Sequence, residues 1–296
     1  MVFKKSGLFF AIASAVAFAV MGYWAKHLSR EIPSTEIVFF RGLLGAIILL
    51  PWCWHEFGHF RNPASKYLIL RGVAGAGSGV CYFATIAKTT VANARAIADV
   101  APIFVVILGW RFLGERPTSK QLGYVFLGLF GTSLLGVPGA SSCPTDAWLI
   151  GLMGALFASL AYFSLRQVSQ IFPMSLTVFL FMAALAATAL CFWSSLWVFP
   201  TDRQCWLLLG IGVTGVAAQL WMTAAYARLP AFLATSLGLS SLPIIASIEW
   251  TFDRERPEPL ELIAYALVLC SVMLHAYSTW KRTSAARVPS GGSIGR

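Results

Sequence analysis

Arg41, Arg95 and Asp99 stand inside long apolar runs, where a bilayer should exclude charge. Charge in hydrocarbon is costly, so such residues face a cavity, pair with one another or hold something polar. Arg95 and Asp99 lie four residues apart, on one face of a helix. Arg41 or Arg95 can attract a carboxylate, while Asp99 can neutralise Arg95 or hold a substrate ammonium. Glu249 closes another apolar run and is the candidate for a coupling proton, because burial favours the neutral carboxyl.

Tyr82, Tyr162, Gln219, Trp221 and Ser240 complete the candidate binding set, as polar or aromatic groups at mid-membrane depth. Gln219 is the strongest of these, since an amide in an apolar medium needs partners. Arg71 lies a short way into its run and is expected to snorkel to the surface. One pattern points elsewhere. His55-Glu56-Phe57-Gly58-His59 fits HExxH, in which two histidines one helical turn apart bind zinc and the glutamate acts as base. That pattern makes a membrane zinc protease the alternative. Its context is a short turn, and the third histidine of the extended motif is missing. Beyond it, no metal or cofactor site is read.

The elements that must position these residues are membrane helices. The chain is 58% hydrophobic and 11% charged, against about 25% charged in soluble domains. Crossing the hydrocarbon takes roughly 20 apolar residues. Ten segments qualify: 6–25, 34–54, 66–87, 91–112, 120–138, 147–165, 174–198, 204–227, 230–250 and 260–280. The first could be mistaken for a signal peptide but matches the internal segment 147–165, and is expected to be retained.

The second half of the chain repeats the first at a shift of 140 residues (166 − 26, for Lys26 and Arg166). Pro33 falls on Pro173, Gly72 on Gly212, Gly75 on Gly215 and Lys88 on Arg228. Trp110-x-Phe112-x-x-Glu115-Arg116-Pro117 falls on Trp250-x-Phe252-x-x-Glu255-Arg256-Pro257. Residues 1–140 and 141–280 are therefore expected to be five-helix repeats, with 281–296 a disordered tail. Five crossings per copy insert the copies upside down relative to each other, as in secondary transporters whose substrate site lies between the halves. Arg41, Arg95 and Asp99 have no charged counterpart in the second copy, and Glu249 has none in the first. Pro102 and Pro243 interrupt the fourth and ninth spans at corresponding depth, once a one-residue slip is allowed.

With the N-terminus cytoplasmic, 14 Lys and Arg fall inside and six outside, with Arg41 and Arg95 in spans. Both termini are thus expected in the cytoplasm. The net charge of +10 follows from that bias and calls for no nucleic-acid partner. The six cysteines show no paired spacing and read as packing residues.

The two Pro…Glu-Arg-Pro segments, Phe39-Phe40-Arg41-Gly42, Leu70-Arg71-Gly72 and the five-plus-five layout together resemble the drug/metabolite transporter superfamily, EamA branch, over nearly all of residues 6–280. The resemblance implies an all-α inner-membrane carrier of ten spans, with a central cavity lined by the first, third, fourth, sixth, eighth and ninth. It implies small polar organic solutes such as amino acids, nucleoside-like compounds or amphipathic toxins, moved by alternating access with a proton or counter-substrate as possible co-reactant. The arrangement Glu36…Arg41…Arg71 is also similar to carriers of S-adenosylmethionine and amino-acid-derived metabolites.

Overall fold

The computed structural model describes residues 2–86, 88, 94, 97–134, 144–192, 197–254 and 257–285. They form eleven α-helices and one 3-10 helix, with no strand among the described residues. In a bilayer each backbone polar group must be satisfied within its own segment, which leaves helices as the form for these apolar runs. The order is α1 (Val2–Leu28), α2 (Ser34–Cys53), the 3-10 helix (Trp54–Arg61), α3 (Ser65–Ile86), α4 (Ala101–Phe112), α5 (Ser119–Leu134) and α6 (Thr145–Val168). There follow α7 (Met174–Leu190), α8 (Asp202–Arg228), α9 (Ala231–Gly238), α10 (Ser241–Phe252) and α11 (Pro259–Ala285). Pro33, Pro144, Pro173 and Pro230 immediately precede α2, α6, α7 and α9, where a missing N–H breaks no helical bond. Six helical stretches are long and apolar enough to cross a membrane, the ninth expected span (α9 with α10) among them.

Four antiparallel pairs build the bundle. Tyr67 of α3 meets Phe163 of α6 at one end, and Cys81 approaches Gly154 further along. Gly7 of α1 lies against Leu229 just past α8, and Ser14 donates to the Ala218 carbonyl. The α2–α7 pair is closest at Gly42, where a Cβ would stand 2.6 Å from the Ala186 nitrogen. Only glycine permits that approach of two backbones. In the α5–α11 pair, Ser271 donates to the Tyr124 carbonyl and His275 meets the Gln121 carbonyl.

Polar links sort into two sets. At the end that carries the N-terminus, Ser175 donates to Glu56 and Arg166 pairs with Glu115 at 3.0 Å. At the opposite end, Lys26 pairs with Glu249, His27 with Asp253 and Arg203 with Glu31, all at 3.0–3.1 Å. Lys88 meets Asp146 there too.

Several expectations need correction. The fourth and ninth spans are not continuous helices. Asp99-Val100 and Leu239-Ser240 are turns, followed by new helices that hold Pro102 and Pro243 in their first turns. Asp99 therefore sits in a break, not on a continuous face shared with position 95. The seventh span stops at Leu190, because the chain at Trp197-Val198 is held to Thr35 and Glu36 instead of continuing the helix. At the other extreme α11 continues through 281–285, residues expected in the tail; 286–296 lie outside the described residues.

Candidate functional site

Arg71 is the centre of the candidate site. It is 3% exposed and does not snorkel. Its Nη2 donates to Oε1 of Gln219 at 3.0 Å, joining α3 to α8, and its guanidinium lies 4.1 Å over the Phe181 ring of α7. A hydrogen bond to a charged group contributes about 1.5–3 kcal/mol, and a desolvated cation–π contact adds ~2 kcal/mol. Those two contacts hold the side chain inward. Gly75, one turn further along α3, makes room: a Cβ there would come within 2.7 Å of both Nη1 and the Phe181 ring.

Arg41 comes in from α2. It is partly buried, its Nε lies 3.3 Å from where a Gly215 Cβ would be, and it is near enough to Arg71 for the two charges to repel. Gly215 is the midpoint of α8, 13 residues from either end (215 − 202 and 228 − 215). Tyr162 and Tyr226 stack at 5.9 Å and face Arg71 from α6 and α8. The Tyr226 hydroxyl meets Thr235 of α9 at 2.6 Å, so the broken ninth span is tied to the same cluster. Among the described residues, neither arginine has an acidic partner, and the Nε of each is buried without a hydrogen bond.

The structure brings together Arg41, Tyr162 and Gln219 from the expected set and adds Arg71, Tyr226 and Phe181. Trp221 is not part of it, being 38% exposed. Two residues on from Gln219 is about 200° around a helix, so both cannot face inward. Ser240 is buried in the α9–α10 turn, where its hydroxyl bonds the Leu237 carbonyl at 2.7 Å. Tyr82 sits near the far end of α3, and Asp99 is buried in its turn. Arg95 lies outside the described residues. Glu249 is engaged by Lys26 at the end opposite the N-terminus, so its carboxylate already has a cationic partner.

An apolar crevice of about 260 Å³ opens between α2, α3 and α7, lined by Ala76, Gly79, Val80, Leu185 and Thr188 among others. No charged residue lines it.

The HExxH residues fall in the 3-10 helix Trp54–Arg61, where His55 and His59 are exposed. Three residues per turn do not align positions four apart. Glu56 accepts the Ser175 hydroxyl, and among the described residues no three His, Cys, Asp or Glu form a metal-binding group. The geometry gives the protease reading no support.

Known proteins carry the same pattern. Residues 5–137 match the EamA-like transporter family. The pseudopaline exporter CntI of Pseudomonas aeruginosa (strain UCBPP-PA14) is 30% identical over 266 residues, which is 90% of this chain and 94% of that protein. This chain belongs to the EamA-like transporter family. An S-adenosylmethionine uptake transporter of Rickettsia felis is 23% identical over 285 residues, 94% of this chain and 95% of its own. A solved crystal structure superposes with a TM-score of 0.79 at 18% identity, over 94% of this chain and 99% of that one. At that identity the likeness establishes the fold. Relatives of this EamA-like chain are thus named as carriers of small molecules, in one case outward and in another inward.

Proposed function

We propose that the protein is a secondary carrier of a small polar or zwitterionic organic metabolite, working by alternating access between two inverted five-helix halves. Residues 1–140 form one half, 141–280 the other, and both termini face the cytoplasm of an inner membrane. The observation that carries this reading is the Arg71–Gln219 hydrogen bond, a buried polar contact between the halves. Polar groups in that position line substrate paths.

Contacts that recur at the 140-residue shift support the inverted arrangement. Gly72 packs on Ala184 as Gly212 packs on Leu44. Leu113 bonds back to the Gly109 carbonyl as Asp253 bonds back to that of Glu249. Gly114 and Arg254, also 140 apart, both have positive φ, 67° and 57°. The helix pairs α3–α6 and α1–α8 exchange under the same shift, while α2–α7 and α5–α11 map onto themselves.

In this reading the Arg166–Glu115 and Lys26–Glu249 pairs close opposite ends of the path and must separate in turn. Glu249 remains the candidate to take a coupling proton when Lys26 leaves it. The test is counterflow in proteoliposomes loaded with amino acids, S-adenosyl compounds, nucleosides and polyamines. Saturable exchange of one class, lost in Arg71→Gln and Gln219→Ala while both variants remain folded, is the expected outcome. Wild-type exchange by both variants removes this site from the mechanism.

A further inference from the structure

We propose that Arg41 and Arg71 form a two-point anion site, and that the carried solute is an organic acid bearing at least two carboxylates. This rests on the carrier reading above and sharpens it to a substrate class. The argument is one of charge balance. Two guanidiniums share the middle of the bundle, close enough to repel each other, and among the described residues no carboxylate meets either one. Paired charges survive burial; uncompensated ones are expensive. What partners Arg71 has, Gln219 and the Phe181 ring, are neutral: they orient it without cancelling its charge.

Each arginine also keeps its Nε unbonded although buried. Nε and the adjacent Nη form the side-on edge that a carboxylate occupies with two parallel hydrogen bonds. Arg71 is held by Nη2 to Gln219, so its orientation is set before any solute arrives. Arg41 comes from a different helix, α2, and lies by Gly215 of α8, so the two edges belong to separate elements. One monocarboxylate would leave a net positive charge between them. A dicarboxylate cancels both, and the stacked Tyr162–Tyr226 pair offers a flat surface for the rest of the molecule.

The test is a thermal-shift titration of the purified full-length protein with glutarate, propionate, sulfate, choline and adenosine, followed by counterflow with the same solutes. A ligand specific to the folded state raises the melting temperature in step with its concentration over Kd. Glutarate is expected to act at concentrations roughly tenfold or more below propionate, as a second charged contact requires. Choline and adenosine should have no effect. Arg41→Gln should bring glutarate to the level of propionate; it breaks no hydrogen bond, so it serves if Arg71→Gln misfolds. Stabilisation by choline or adenosine instead overturns the assignment, as does an undiminished glutarate response in Arg41→Gln, or an equal response to sulfate. The two readings separate cleanly. Exchange of a cation or neutral solute without anion binding sinks the anion site and leaves the carrier. Glutarate binding without any flux keeps the site and sinks the carrier.

Discussion

Gly75 and Gly215 stand 140 residues apart, near the middle of α3 and α8, and receive different side chains. Phe181 packs on Gly75, and Arg41, at the position matching Phe181, packs on Gly215. The glycine recurs because two helices must approach closely in both halves. The incoming side chain does not recur, because only one half supplies the second cation. Arg71 likewise matches Ile211, a fully buried apolar residue. Scaffold contacts recur at the shift, then, and the charges do not. In a carrier with inverted halves this is expected: rocking needs matched interfaces, while recognition of one asymmetric solute needs unmatched groups.

The strongest way to break this comparison is to make the halves alike. Arg41→Phe should cut solute exchange by roughly a hundredfold or more, as loss of a buried charged contact does, while leaving the melting temperature unchanged or raised. Normal exchange by that variant would mean that the asymmetry is incidental.

The glycines themselves give the next effect. Gly75→Ala should cost about 1–3 kcal/mol in stability, since its Cβ meets the Phe181 ring and Arg71 at 2.7 Å. Gly215→Ala should cost less, because the nearest atoms are 3.3 Å away in flexible Arg41 and Met21. Denaturation in detergent ranks the two, and the reverse order would undo the packing argument.

The two ends of the bundle sharpen it further. Glu115 accepts from Arg166 at 3.0 Å and from the Ala231 N–H at 2.7 Å, with 12% of its side chain exposed. Glu115→Gln should lower stability by about 2 kcal/mol. Glu249→Gln breaks one pair between side chains 33% and 21% exposed, and should cost about 1 kcal/mol or less.

Arg254→Gly tests the turn shared with Gly114. A left-handed non-glycine residue costs roughly 1–2 kcal/mol, so the substitution should stabilise by up to about 1 kcal/mol after its unfolded-state entropy is counted. Smallest of all, Trp221→Ala should leave exchange at the wild-type level, as its ring is exposed and two residues out of phase with Gln219.

Much of the scaffold was legible in the chain. Pro102 and Pro243 marked the breaks in the fourth and ninth spans, and the glycines of α3 and α8 marked close packing. Arg41 and Gln219 were legible as site residues because charge and amide groups in apolar runs are costly wherever they face. Arg71 was misread: its nearness to the end of its span suggested snorkelling, and nothing local says which way a long side chain turns. Gln219 and Phe181 turn it inward, from 148 and 110 residues away (219 − 71 and 181 − 71). Tyr226 was missed for a similar reason, since it follows a helix end in sequence but faces Arg71 in space.

Hydropathy, the 140-residue repeat and the Lys/Arg bias are one-dimensional properties, and they determined the helical membrane class and the family resemblance. They do so because bilayer thickness and backbone satisfaction act on each segment separately. Which polar groups meet was left to the tertiary structure. It turned Trp221 outward, gave Glu249 to Lys26, and set Arg41 beside Arg71, because the direction of a buried side chain is decided by neighbours that only packing supplies.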